Sequence, residues 1–173
     1  MTSSSLGGGL ANLLAFKAAQ LKAKDDESVK YLPKKITALT FASPVVGNED
    51  YNKEFQYLEK KGNLRHIRVA NEGDAVPTND IIPPFSFFLK GRTDVYTQNG
   101  VNLLLYSDAE LEVGYRATKT FASQFGPSVL TNHFLATYSK RIGVDLELEA
   151  NKNKKIYDQT VEELYKAAGD FTN

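Results

Sequence analysis

Ser5 is the residue whose type and surroundings point most directly to chemistry. It stands in the sequence S-S-S-L-G at residues 3–7, which fits the spacing G-x-S-x-G except at the first glycine, where Ser3 stands. In that spacing a strand turns sharply into a helix and holds the serine in a strained backbone conformation, so its neighbours must be small. The pattern predicts that Ser5 is a nucleophile for acyl transfer, at the junction of a strand and a helix.

The base that such a serine needs must be one of two histidines, and a carboxylate must orient that base. His66 lies in the middle of a largely apolar segment at residues 64–70, where we expect a structural role. His133 lies later, at a predicted junction between a loop and a helix. His133 is the predicted general base, because it follows the serine and a candidate acid in the order serine, acid, histidine.

The orienting acid is predicted to be Asp74, in the sequence N-E-G-D-A-V-P at residues 71–77. This segment follows a predicted parallel strand, and α/β folds place functional loops after such strands. Asp80 and Glu72 are the competing acids. Taken alone, an aspartate between glycine and proline is more often a turn residue than a catalytic one. The assignment therefore depends on the rest of the pattern.

Composition excludes several other kinds of site. The 173 residues, 42% of them apolar, suffice for one domain with a sizeable core. There is no cysteine and there are two histidines, so we predict neither a metal site nor a cofactor. Lys+Arg and Asp+Glu are both 21, and this balance disfavours a nucleic-acid surface. The glycines at residues 7–9 lack the spacing of a nucleotide-binding loop, and no apolar run reaches the length of a membrane span.

The predicted elements follow one another as in an α/β protein. A helix is predicted over residues 6–24, where leucines recur on one face and early glycines indicate close backbone approach to a strand or substrate. Strands are predicted at 36–42 and 64–70, with a helix over 50–61 between them, which favours parallel pairing. The other predicted elements are a hairpin of 93–97 and 101–106 around Asn99-Gly100, helices around 115–125 and within 130–141, and a terminal helix that begins with a capping box at Thr160.

Four motifs occur in a fixed order along the chain. They are S-S-S-L-G-G at residues 3–8, F-A-S-P-V-V-G-N at 41–48, N-E-G-D-A-V-P at 71–77, and His133 followed by the aromatic Tyr138. In this order they resemble G-H-S-L-G-G, F-x-S-P-x-V-G-N, N-x-x-D-x-V-P and the late histidine of the class 3 (fungal-type) lipase family of α/β-hydrolases.

The resemblance implies a fold, an activity and the roles of the site residues. Residues 1–142 would form part of an α/β-hydrolase fold, a mostly parallel sheet with flanking helices and an inserted β-hairpin. Residues 143–173 would form a polar linker and a short helix. The implied enzyme is a triacylglycerol lipase or carboxylesterase that hydrolyses acylglycerols or phospholipids through an acyl-enzyme. Ser5 would be the nucleophile, Asp74 the orienting acid and His133 the base.

The chain departs from the family at the first motif and in what precedes that motif. Ser3 and Ser4 replace the family's glycine and histidine. The family's domain begins earlier, so we expect its first strands, its lid helix and one oxyanion-hole residue to be missing. The backbone N–H of Leu6 would supply one oxyanion donor. The alternative function is therefore a truncated, non-catalytic lipase-like protein, whose unpaired sheet edge would favour self-association.

An apolar stretch at residues 81–89 is the candidate for further contact with a lipid. Ile81, Ile82, Phe85 and Phe87 follow the predicted acid, where they would line an acyl-chain groove or touch a lipid surface. Core packing beneath a long loop is the competing interpretation. The predicted partners are thus a lipid or ester substrate and a lipid surface, without nucleic acid.

Overall fold

The computed structural model describes residues 1–77, 98–107, 111–115, 128–148 and 160–169. The strands in these ranges are β1 (Thr2–Ser4), β2 (Ile36–Phe41), β3 (Leu64–Asn71), β4 (Val101–Leu105) and β5 (Leu111–Tyr115). The helices are α1 (Ser5–Ala23), α2 (Glu49–Lys60), α3 (Ser128–His133), α4 (Leu135–Leu148) and α5 (Val161–Ala167), with a 3₁₀ turn at Glu27–Val29.

The strands form one sheet in the order β1-β2-β3-β4-β5. The first four strands are parallel and β5 is antiparallel to β4. Helix α1 connects β1 to β2, and α2 connects β2 to β3, because parallel neighbours need a crossover connection. β1 lies at the edge and pairs with β2. The predicted fold class, an α/β protein with a mostly parallel sheet, is confirmed.

Two apolar clusters lie on opposite faces of this sheet, because successive side chains of β2 alternate between them. On one face, Ile36 and Ala38 pack against α1 and α2, where Phe55 and Leu58 point inward as predicted. On the other face lies a smaller cluster with Ala42, Val69, Leu105 and Tyr138 at its centre. The strands and helices predicted over 6–24, 36–42, 50–61 and 64–70 are confirmed to within one residue at every end.

Helix α1 packs on the sheet through small residues. Its buried positions are Gly8, Gly9, Asn12, Ala15, Ala18 and Ala19. A Cβ on Gly8 would come within 2.8 Å of the Ser43 Cβ, so the close approach predicted from the glycines is present. The face on which the leucines recur is exposed instead, at Leu6, Leu10, Leu13 and Leu14. Alanine and glycine bring the helix closer to the strands than leucine could, which explains the choice of face.

The antiparallel pair of the sheet is formed by β4 and β5. The segment at 93–97, predicted as the partner of 101–106, lies outside the described residues. Gly100 directly precedes β4 with φ of +74°, and a Cβ there would collide with the backbone carbonyl of His66. The prediction of a helix from residue 115 is wrong at its first residue, because Tyr115 pairs with Val101 in the sheet. The rest of that segment lies outside the described residues.

Helix α5 is anchored to the sheet by side chains of both its turns. The predicted capping box is confirmed, with the Thr160 hydroxyl accepting from the Glu163 N–H at 3.3 Å. The buried Tyr165 hydroxyl donates to the Glu59 carboxylate. Glu162 accepts from Arg65 at 2.9 Å and from Lys35 at 2.6 Å. These contacts, mainly the hydrogen bond from Arg65, lower the pKa of Glu162 to about 2.

The division of the chain at residue 142 stays a prediction. In the described parts no helix is long and apolar enough to cross a membrane.

Candidate active site

Ser5 stands where β1 ends and α1 begins. Its φ is +51°, in the left-handed region that is strained for a residue with a side chain. This is the conformation expected of a serine in the G-x-S-x-G turn. A Cβ on Gly7 would lie 2.5 Å from the movable Ser3 Oγ, whereas a Cβ on Gly8 would lie 2.8 Å from the buried Ser43 Cβ, so Gly8 is the position where a bulkier residue would not fit.

His133, the last residue of α3, contacts both other predicted members of the site. Its Nε2 lies 2.8 Å from the Ser5 Oγ, and its Nδ1 lies 3.0 Å and 3.1 Å from the two carboxylate oxygens of Asp74. The Asp74 side chain is fully buried and that of His133 is 20% exposed. The fold thus brings His133 into contact with Ser5, 128 positions before it in the sequence, and with Asp74, 59 positions before it.

Hydrogen bonding around Asp74 fixes which ring nitrogen carries the proton. A carboxylate only accepts, so the Nδ1–H of His133 donates to Asp74. The neutral ring then has its lone pair on Nε2, which accepts from the Ser5 hydroxyl. Asp74 also accepts from the Val76 N–H at 3.0 Å through Oδ1 and from the Tyr138 hydroxyl at 2.7 Å through Oδ2. The arrangement can withdraw a proton from the Ser5 Oγ.

Tyr138 is the site residue whose contact the sequence did not predict. Its ring is buried, and its hydroxyl accepts from the Asn71 N–H at 3.0 Å while donating to Asp74. Burial raises the pKa of Tyr138, and the charge of Asp74 raises it further, so the hydroxyl keeps the proton it donates. The sequence offered one signal, an aromatic residue five positions after His133.

Comparison with known proteins identifies a family for the part of the chain that carries Ser5 and Asp74. A sequence model of the family described as Lipase (class 3) matches residues 1–85, which include Ser5 and Asp74. Residues 1–85 of the chain belong to the class 3 lipase family. The α/β sheet described above agrees with the α/β-hydrolase fold of class 3 lipases.

Two curated relatives of this chain are phospholipases by name. Phospholipase A1-II 5 of Oryza sativa subsp. indica is 36% identical over 76 residues, 44% of this chain and 15% of that protein. The chloroplastic Phospholipase A1-Igamma2 of Arabidopsis thaliana is 34% identical over 77 residues, 44% of this chain and 13% of that protein. The matching part of the chain thus spans about 15% of the length of these relatives.

The segment that carries Asp74 is hydrogen-bonded to the helix that carries His133. The Asn71 side chain donates to the carbonyl of Asn132 at 3.0 Å. Arg141 donates to the Glu72 carbonyl at 3.2 Å and to the Asn132 Oδ1 at 3.1 Å. These contacts hold the acid and the base in one unit.

His66 has the structural role that its place in a strand indicated. Asn99 Oδ1 accepts from the His66 Nδ1 at 2.9 Å, and the His66 Nε2 accepts from the Thr40 hydroxyl at 2.9 Å. Asn12 also donates to the Asn99 Oδ1, which identifies that oxygen as an acceptor. Burial lowers the pKa of His66 to about 4, the Asn99 hydrogen bond opposes this, and the charge of Arg68 adds to it.

The remaining predicted site residues fall into two groups. The N–H of Leu6 lies in the first turn of α1, where helices leave backbone donors without intrahelical partners. The rest lie outside the described residues: the competing acid Asp80 and the predicted lipid contacts Ile81, Ile82, Phe85 and Phe87. Among the described residues, no group of three or more His, Asp or Glu side chains is arranged to hold a metal ion.

Proposed function

We propose that this chain is a serine hydrolase that cleaves carboxylic esters of lipids, with Ser5 as nucleophile, His133 as general base and Asp74 as orienting acid. The observation that carries the proposal is the unbroken series of hydrogen bonds from the Ser5 Oγ through both ring nitrogens of His133 to Asp74. A nucleophile, a base and an orienting acid in this order are the parts that acyl transfer requires.

The reaction would proceed through an acyl-enzyme on Ser5. As the Ser5 Oγ attacks the ester carbonyl carbon, its proton passes to the His133 Nε2. Collapse of the tetrahedral intermediate breaks the ester C–O bond, and the leaving alcohol takes that proton. Water, deprotonated by the same nitrogen, then attacks the acyl carbonyl; the bond from the acyl carbon to the Ser5 Oγ breaks, that oxygen takes the proton back, and the fatty acid is released. Throughout, Asp74 holds the imidazole in one tautomer and stabilises its cationic form.

The N-terminus of α1 supports stabilisation of the negative charge that develops on the carbonyl oxygen. Ser5 is the first residue of this helix, so the Leu6 N–H lies beside the nucleophile. Unpaired N–H groups and the helix dipole both favour an anion at this end. One such donor is typically worth about 3 kcal/mol to the transition state. Leu6 is the proposed donor.

Apolar side chains next to the site support a lipid substrate. Leu6 follows the nucleophile directly and is exposed. Phe134 and Leu135 follow the base and are also exposed. An exposed apolar rim of this kind suits acyl chains. Because two relatives are named phospholipase A1, phospholipids are the first proposed substrates and acylglycerols the second.

Labelling with a fluorophosphonate probe tests the proposal, since an activated serine displaces the fluoride and forms a stable phosphonyl ester. We expect the protein to be labelled and Ser5→Ala to be unreactive. Ser4→Ala is the matched control, because the Ser4 side chain makes no helix-capping hydrogen bond. Equal labelling of the wild type and Ser5→Ala would exclude the triad. Absence of labelling in a folded wild type would favour the non-catalytic alternative.

Substrate class is tested separately, on protein that has not been treated with the probe. Vesicles of phosphatidylcholine and emulsions of triacylglycerol are offered in parallel, and the released fatty acid is measured for the wild type and for Ser5→Ala. Release from phosphatidylcholine vesicles, absent in Ser5→Ala, is the expected result. Release from triacylglycerol alone would assign the acylglycerol activity instead.

A further inference from the structure

Arg68 is a buried cation in the middle of β3. It is 4% exposed, and burying a charge is costly unless hydrogen bonds and an opposite charge offset the loss of water. Its guanidinium donates to the Ser43 carbonyl at 3.3 Å, to the Asn102 Oδ1 at 3.1 Å, and to the oxygens of Gln98 and Pro77. In the described part of the chain these four acceptors are all neutral.

Two of the four acceptors, Pro77 and Ser43, connect Arg68 to the candidate site. Pro77 ends the segment that contains Asp74. Ser43 follows β2, and Gly8 packs directly against it, with a Cβ position only 3.3 Å from the Ser43 Cα. Gly8 is one helical turn beyond Ser5. One guanidinium therefore joins the acid segment to the surface on which the nucleophile helix rests.

Electrostatics connects this guanidinium to the acid. Burial lowers the pKa of Arg68 to about 10, while interactions with Tyr138 and with Asp74 oppose the shift. The side chain is therefore charged at neutral pH. Asp74 is fully buried, so its negative charge and the positive charge of the guanidinium each reduce the free-energy cost of burying the other.

We propose that Arg68 is a positioning residue of this hydrolase. It fixes the segment that carries Asp74 relative to Ser43, on which α1 packs, and so keeps His133 within hydrogen-bonding distance of Ser5. The inference rests on the function proposed above. Arg68 contacts no reacting atom and acts through Asp74.

Arg65 provides a matched control on the same strand. It is also buried, at 5% exposure, and its guanidinium donates to the carbonyls of Glu59 and Leu64 and to Glu162. These partners lie at the opposite end of β3 from Asp74. The variants to compare are Arg68→Met, Arg68→Lys and Arg65→Met, with thermal unfolding measured for each.

The first measurement is the second-order rate of fluorophosphonate labelling. We expect Arg68→Met to lose about 100-fold, the effect typical of a displaced catalytic group. Arg68→Lys should lose about 10-fold, because an ammonium keeps the charge but cannot bridge several acceptors. Arg65→Met should stay within about 3-fold of the wild type at a similar loss of Tm. Parallel losses of labelling in both methionine variants would overturn the proposal.

A double-mutant cycle with His133→Ala separates positioning from a general structural role. If Arg68 acts through the Asp74–His133 pair, Arg68→Met should cause no further loss once His133 is removed. A second loss of about 100-fold in that background would show that Arg68 merely keeps the fold intact.

Amide exchange at Val76 keeps the inference testable if the wild type is not labelled. The Val76 N–H donates to the Asp74 Oδ1 at 3.0 Å and so reports the order of the acid segment. Arg68→Met should speed exchange at this amide about 10-fold more than Arg65→Met does. Equal exchange in the two variants would overturn the role of Arg68, whereas a wild type without Ser5-dependent labelling would overturn the proposed function.

Discussion

The Tyr138 hydroxyl donates to Asp74 at 2.7 Å and accepts from a backbone N–H of β3 at 3.0 Å. Tyr165 makes the same arrangement elsewhere on β3, because its hydroxyl accepts from a strand N–H at 2.7 Å and donates to the buried Glu59 carboxylate. Both rings are 1% exposed. One carboxylate belongs to the candidate site and the other does not, so the two tyrosines allow the contribution to stability to be separated from the contribution to catalysis.

Removing the Tyr138 hydroxyl should slow the reaction of Ser5. In Tyr138→Phe, Asp74 loses a donor, and a hydrogen bond to a charged group is worth about 1.5–3 kcal/mol. We expect labelling to slow by about 10-fold or more. Tyr165→Phe should lower Tm by a comparable amount and leave the labelling rate within about 2-fold. Unchanged labelling in Tyr138→Phe would argue against a role for this hydroxyl.

Adding a methyl group at Gly8 should disturb the packing of α1 against Ser43. In Gly8→Ala the new Cβ would stand 2.8 Å from the Ser43 Cβ, and Ser43 is buried. Overpacking of this kind costs about 1–3 kcal/mol and outweighs the gain of about 1 kcal/mol in helix propensity. Chemical denaturation should show a net loss. Gly7→Ala is the comparison, because it meets only the movable Ser3 Oγ, and a larger loss in Gly7→Ala would contradict the packing argument.

The free energy of unfolding should fall as the pH falls from about 6.5 to about 4. The pKa of His66 is about 4 in the folded protein against a reference of 6.5, with burial as the main cause. Between these values the unfolded chain binds the proton and the folded chain does not, so acid favours unfolding. The contribution is about 3 kcal/mol at most.

His66→Gln tests this pH dependence, since glutamine does not titrate. We expect this variant to be less stable at neutral pH, because the hydrogen bonds to Asn99 and Thr40 are altered. Its urea midpoint should nevertheless change less between pH 6.5 and pH 4 than that of the wild type. An equal change in both proteins would show that other groups dominate acid unfolding.

Removing α5 should destabilise the sheet. A chain that ends before residue 160 leaves the buried Glu59 without the Tyr165 hydroxyl and the buried Arg65 without Glu162. Loss of a partner by a buried charge costs about 3–5 kcal/mol, so Tm should fall by more than about 10 °C. Glu162→Gln should cost less, because that side chain is half exposed. An unchanged Tm in the shortened chain would contradict the anchoring of α5.

Local patterns predicted much of the fold. The apolar run of β2 reflects burial on both faces of the sheet, and the helical period of α2 reflects burial on one face; a sequence records both directly. The leucines of α1 predicted a helix but not its buried face, because that helix packs through glycine and alanine, whose burial leaves a weak hydrophobic pattern. Tyr115 was misplaced because strand pairing with β4 outweighed local helical periodicity.

The order of the motifs predicted the residues of the candidate site, whereas hydrophobic periodicity did not. Motifs put Ser5, Asp74 and His133 forward, and these side chains lie in contact; their catalytic roles stay a prediction. The motifs included Tyr138, but its contact with Asp74 and the contacts of Arg68 were not predicted, because they depend on which face each side chain takes. An arginine within a wholly buried strand was the available signal, since an interior charge needs a specific reason to persist.

The left-handed backbone of Ser5, at φ of +51°, also bears on how such a sequence drifts over generations. Glycine would adopt that conformation without a steric penalty, so the serine side chain is kept at a cost in folding free energy of about 1–3 kcal/mol. Under the proposed function, a lineage that lost ester hydrolysis would be free to exchange serine for glycine at this position and gain stability. Orthologues with Gly at position 5 would therefore mark descendants released from catalytic selection.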